Sequence, residues 1–249
     1  GRAENTKPYF DLMYETVQSI LAKSGHINHK YLKESESDKK AVIVVTANRG
    51  LAGGYNSNIT RMIIDEGFTK ENTVVYAVGK KGRELLERKG YEIKADYSEA
   101  INDPIYKDAK EICDDVLSAF ADGEVGEIYL AYTVFKNTVV HEPQLIRLLP
   151  VEADDAAHET DGSEALMTYE PSEEEALDMI IPKYVCSLVY GALIESVASE
   201  NGARMQAMDS ATSNAEEMIS TLSLKYNRAR QASITQELTE IIAGANAIE

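Results

Sequence analysis

Between residues 183 and 243 the chain has no proline, and its only glycines there are Gly191 and Gly202. Within that stretch Leu188 and Ala192, then Met205, Met208, Thr212, Ala215, Ile219, Leu222, Tyr226 and Ala229, step by three and four. That spacing is one face of an α-helix and resembles a coiled-coil seam. A helix of this length reaches about 90 Å at ~1.5 Å per residue. A single helix cannot bury its own stripe, so this one is built to pack against other protein. Ala192, Ala198, Gly202, Ala203, Ala211 and Ala215 are small enough to let a neighbouring backbone approach. Pro182 is expected to divide a short leading helix from the long one, because it lacks an N–H and crowds the preceding turn.

The segments before the helix alternate in kind. Residues 41–46, 73–78 and 127–135 are short β-branched or aromatic runs bounded by charge and glycine, which predict buried strands. Residues 143–150 read as a further strand ending at Pro150 and 91–95 as a weaker one, while 55–67, 82–88 and 104–121 read as helices. The expected fold is α/β: a Rossmann-like, mostly parallel sheet with helices on both faces, plus a long C-terminal coiled-coil helix. The short connection from 127–135 to 143–150 makes that pair antiparallel. Residues 9–23 repeat apolar positions at helical spacing, and 24–38 read as a polar linker. The expected domains are 1–38, helix remnant and linker; 39–151, the α/β domain; 152–172, an acidic solvated loop; and 173–249, the long helix.

The formal net charge of -17 argues against non-specific nucleic-acid binding, which depends on Lys and Arg neutralising phosphates. Cys113 and Cys186, far apart and outside any CxxC, read as two small apolar residues in a reducing compartment. No run approaches the ~20 apolar residues that span a bilayer, and the first residues carry no apolar signal core. The expected location is the cytosol, or a membrane face reached through other proteins.

Gly50, Gly53 and Gly54 follow the first strand and open a helix, the position of a phosphate site. Their spacing matches neither dinucleotide nor P-loop patterns, and no acidic residue closes the second strand. The favoured reading is a structural turn, with a nucleotide-binding α/β protein as the alternative. Gly79-Lys80-Lys81-Gly82 reads as a surface turn. His26 and His29 lack a third ligand, and no catalytic triad can be placed, so no metal, cofactor or catalytic set is expected. Near the end of the helix Arg230 and Glu237 share a face, as do Gln231 and Thr235. This tip is either a solvated helix end or a donor-rich surface for a partner, and a generic coiled-coil adaptor is a further alternative.

The run Ile234-Thr235-Gln236-Glu237-Leu238-Thr239-Glu240-Ile241-Ile242-Ala243-Gly244-Ala245-Asn246-Ala247 resembles the signature of the gamma subunit of F-type ATP synthases. Asn48-Arg49-Gly50-Leu51-Ala52-Gly53-Gly54-Tyr55-Asn56 and Ala203-Arg204-Met205-Gln206-Ala207-Met208 resemble two further segments of that family. The resemblance implies a central-stalk rotor, not itself catalytic, that couples ion flow through the c-ring to conformational cycling of the β subunits. It implies contact with the α3β3 hexamer, epsilon and the c-ring, and a peripheral place on the cytoplasmic side of the cell membrane. Carried onto this sequence, Arg230, Gln231, Thr235 and Glu237 resemble the positions that catch β-subunit loops. Met205, Met208, Thr212, Ala215, Ile219 and Leu222 form the shaft seam. Residues 2–23 resemble the last turns of a longer N-terminal helix in the family. The expectation is therefore that the seam lacks its mate within this chain and is exposed, disordered, shortened or paired with a second copy. Whether protons or sodium ions drive the ring is set in another subunit.

Overall fold

The computed structural model describes residues 15–16, 18–19, 29–32, 37–137, 140–151 and 172–247. Most of the helix expected over 9–23 and nearly all of the acidic loop expected over 152–172 lie outside these residues. Five strands form one sheet: β1 Lys40–Val45, β2 Thr73–Val78, β3 Glu92–Asp96, β4 Glu127–Phe135 and β5 His141–Leu149. Their order is β3-β2-β1-β4-β5. Pairing is parallel for β1 with β2 and β4 and for β2 with β3, and antiparallel for β4 with β5. Among the described residues, four α-helices and a short 3-10 helix, Ser98–Ile101, accompany the sheet: α1 Tyr55–Asp65, α2 Lys80–Arg88, α3 Tyr106–Ala121 and α4 Glu173–Asn246.

Alternation along each strand feeds two cores, because successive side chains leave opposite faces of a sheet. Ala41, Ile43 and Val45 of β1 join Ile112, Val116 and Phe120 of α3 and Leu177, Ile181 and Val185 of α4. Val42 and Val44 join Ile59 and Ile63 of α1 and Leu86 of α2 on the other face. Covering both faces is what allows β1 and β2 to be apolar at nearly every position. On α3, Asp108 accepts a hydrogen bond from the Ile105 N–H at 2.9 Å and sits at the positive end of the helix dipole.

Pro182 does not divide the last helix: α4 is continuous from Glu173 to Asn246 with Pro182 inside it. An interior proline costs about 3 kcal/mol. Leu177, Ile181 and Val185, all fully buried, bracket it. Each contributes about 1.5–3 kcal/mol of apolar burial, enough together to hold the helix through the missing hydrogen bond. The same burial bears on membrane insertion. One 18-residue window of α4 reaches a mean hydropathy of 1.5, but half of it is buried within the protein.

Residues 29–32, within the stretch read from the sequence as a polar linker, are packed against the sheet domain. His29 and Tyr31 are buried, and the Val151 N–H donates to the Tyr31 carbonyl at 3.2 Å. The Tyr31 N–H donates to His29 Nδ1 at 3.2 Å, which leaves Nε2 as the protonated nitrogen, 3.1 Å from Asp178 Oδ1. Lys30 Nζ lies 2.9 Å from the same oxygen. Its hydrogen bond, with help from His29, holds the Asp178 carboxyl below the usual range. The folded pKa is thus below the unfolded one. This contribution to stability is complete above an unfolded carboxylate value of about 3.9 and is lost as pH falls through the folded value. Asp178→Asn should lower stability at neutral pH and flatten the acid limb of the stability curve. Urea unfolding across that limb checks it, and parallel curves for the two proteins would contradict it.

The chain divides into two compact units, Gly1–Arg204 and Met205–Glu249. The first holds the sheet and α4 up to Arg204. The second is the remainder of α4, helical to Asn246 and neither shortened nor frayed before it.

Candidate partner-binding helix and its anchorage

The glycine-rich segment after β1 is built as a junction. Asn56 Oδ1 accepts from the Ala47 N–H at 2.9 Å, fixing the start of α1 against the end of β1. The buried Tyr55 hydroxyl donates to the Ser196 carbonyl of α4 at 3.0 Å, and burial pushes its pKa up. Ala47, Ala52 and Tyr55 form a small apolar cluster that Ala203 packs against. Arg204 pairs with Glu200 at 2.7 Å, and the same Arg204 nitrogen donates to the Gly50 carbonyl at 3.4 Å. Gly50 itself has open space around it, Gly53 adopts φ 55° and Gly54 is the N-cap of α1. Leu51, next to them, carries a positive φ of 60°.

The tightest glycines lie elsewhere. At Gly79, φ is 114° and a Cβ would stand 2.2 Å from the Thr46 carbonyl oxygen. At Gly82 it would meet Thr46 Oγ1 at 2.5 Å, and at Gly202 it would meet His141 Cε1 at 2.6 Å. The first amides of α2 are occupied by the protein itself. Lys80 N–H donates to Asn48 Oδ1 at 2.9 Å, Lys81 N–H to the Ala47 carbonyl at 3.0 Å, and Gly82 N–H to Thr46 Oγ1 at 2.9 Å. A phosphate cradle needs such donors free, so the Gly79–Gly82 turn at the start of α2 offers none. Sequence reasoning missed this clamp. Asn48 and Asn56 stood in the quoted motif, but their hydrogen-bond partners are set only by the fold.

In the second unit every residue from Met208 to Ala247 is exposed. Met205, Met208, Ile219 and Leu222 are all exposed apolar residues, joined by Met218, Leu224, Tyr226, Ile234, Leu238, Ile241 and Ile242. Thr212 and Ala215 are exposed between them. So long an apolar stripe is a surface for another protein rather than a solvated face. Arg230, Gln231, Thr235 and Glu237 are exposed within it, among Ile234 and Leu238. Gln231, Thr235, Leu238 and Ile242 advance by four, three and four along one face, mixing hydrogen-bonding groups with apolar anchors. The backbone is helical throughout this stretch, and Thr239 Oγ1 donates a hydrogen bond to the Thr235 carbonyl at 2.8 Å.

An α/β sheet domain followed in sequence by a helix whose apolar stripe is exposed fits a subunit of a larger assembly. A sequence profile of the family described as ATP synthase matches residues 1–248. The ATP synthase gamma chain of Lachnoclostridium phytofermentans is 66% identical over 254 residues, covering 100% of this chain and 87% of that one. The sodium-ion-specific gamma chain of Acetobacterium woodii is 42% identical over 262 residues, covering 99% and 87%. Among solved structures, the Euglena gracilis mitochondrial ATP synthase OSCP/F1/c-ring assembly contains a chain that aligns with a TM-score of 0.62. That alignment has 18% identity and covers 99% of this chain and 92% of that one. The Tetrahymena thermophila central stalk and c-ring give 0.55 at 21% identity, over 85% and 100%. At such identities the likeness is one of fold. The chain belongs to the ATP synthase gamma-chain family, and its function is that of the family's central-stalk rotor subunit.

Proposed function

We propose that this subunit holds no catalytic residue itself and works as the shaft between an α3β3 hexamer and a membrane c-ring, with epsilon beside its sheet domain. It lies on the cytoplasmic side of the cell membrane without spanning it. Ion flow turns the ring, and the shaft forces the β subunits through their conformational cycle. Arg230, Gln231, Thr235 and Glu237 meet the β-subunit loops. The observation that carries this reading is the mixed polar and apolar exposed face from Arg230 to Ile242 on a continuous helix. Co-purification with α and β subunits, alongside nucleotide titration of the chain alone, tests it. The chain should enter a stable complex with the hexamer and show no tight nucleotide site by itself. Tight nucleotide binding without hexamer binding would favour the enzyme alternative instead.

A further inference from the structure

A cavity of about 350 Å³ opens on the α3 face of the sheet, where β1, β2 and β3 begin. Val74 and Tyr76 of β2 form its floor, and Tyr76 is only 2% exposed. A buried tyrosine ordinarily gives its hydroxyl a hydrogen-bond partner. The Tyr76 hydroxyl has none among the described residues, and Tyr76 lines the cavity. Burial, then Glu124, Asp115 and Glu92, push its pKa up to about 12. It is a neutral phenol in surroundings that favour positive charge, able to accept a hydrogen bond from a cation.

The walls are held in place by the fold. β3 pairs Ile93 with Val75 and Ala95 with Tyr76, so Lys94 is an extra, bulged residue. Lys94 and Glu124, which both line the cavity, pair at 3.1 Å. The Gly126 N–H donates to the Lys39 carbonyl at 2.7 Å, and Ser37 Oγ donates to the Glu124 carbonyl at 3.2 Å. These bonds tie the chain before β1 to the turn after α3. Glu92 and Lys39 also line the cavity, and neither has an ion-pair partner among the described residues. Glu92 opens β3 and Lys39 precedes β1, two strand spacings or about 10 Å apart across β2.

We propose that this cavity binds a small zwitterion of amino-acid or dipeptide size. The ligand's ammonium donates to the Tyr76 hydroxyl and pairs with Glu92, and its carboxylate pairs with Lys39. Each end thereby meets a charge that the protein leaves unpaired, while the Lys94–Glu124 pair is neutral as a unit. Val74 and Val125 take the aliphatic body. The volume lies near the lower end of the roughly 300–1,000 Å³ of small-molecule sites, which suits a ligand of this size.

Calorimetric titration of the native full chain with glycyl-leucine tests this. The dipeptide should bind with a dissociation constant in the millimolar range or below. N-acetylation removes its ammonium and C-terminal amidation removes its carboxylate, and each should weaken binding about tenfold. Tyr76→Phe and Lys39→Met should each do the same. Tyr76→Phe takes away an oxygen that has no protein partner, so its Tm should not fall, which separates a lost site from a lost fold. No heat of binding at millimolar dipeptide would overturn the proposal. So would modified dipeptides that bind as tightly as the parent, or a Tyr76→Phe chain that binds it unchanged.

Discussion

Gly79→Ala should cost the sheet domain about 2–6 kcal/mol, measured as a fall in the denaturant midpoint at unchanged slope. Two separate costs add. Backbone at φ 114° and ψ 129° is glycine territory, and a residue with a Cβ pays about 1–3 kcal/mol to stay there. The added Cβ also falls 2.2 Å from the Thr46 carbonyl oxygen, well inside van der Waals contact. Relieving that clash means moving β1 or α2, an overpacking cost of about 1–3 kcal/mol. Thr46 has little room to give: its Oγ1 donates to the Gly79 carbonyl at 3.3 Å and accepts from the Gly82 N–H at 2.9 Å. With total stabilities of about 5–15 kcal/mol, the loss is a large share of what holds the domain. Gly50→Ala, where nothing lies within 4 Å, should stay within about 0.5 kcal/mol. Similar losses at Gly50 and Gly79 would contradict this account of the junction.

The second large effect is on coupling rather than stability. Gln231→Ala with Glu237→Ala removes two exposed polar side chains from a helix that is already complete. Neither truncation opens a cavity or strands a buried group, so the change in thermal unfolding should stay within about 0.5 kcal/mol. Alanine is the best helix former, which works in the same direction. If these side chains meet β-subunit loops, their loss acts where binding energy concentrates, about 2 kcal/mol or more per anchor. ATP-driven ion pumping by the reconstituted complex should therefore fall about tenfold or more, while the hexamer's own hydrolysis persists. Pumping at the unsubstituted level would remove these residues from the interface.

What the sequence allowed one to read follows the range of the forces involved. Residues 73–78 and 127–135 were expected as strands and are strands to the residue: the first is a largely β-branched run buried at every position, and the second is an apolar and aromatic run that alternates between buried and half-buried positions over most of its length. The antiparallel β4–β5 pair was also legible, since a short connection permits nothing else. Pro182 misled because helix propensity is local, whereas the burial of Ile181 and Val185 against the sheet is not. His29 lies in a stretch read as a polar linker, and its partner Asp178 is 149 positions away. For the long helix, periodicity showed that a partner was needed, and the tip motif showed which family of partners to expect. The structure adds the anchorage at Tyr55, Glu200 and Arg204, whose contacts join the glycine-rich segment to α4.

Rotation observed directly is the sharpest test of the central claim. The chain is assembled with α and β subunits, the hexamer is fixed to a surface, and a bead is attached to the sheet domain. On addition of ATP the bead should turn stepwise in one direction, and Gln231→Ala with Glu237→Ala should weaken or abolish the rotation. A hexamer that holds the chain and hydrolyses ATP while the bead stays still would contradict the assignment as a rotor.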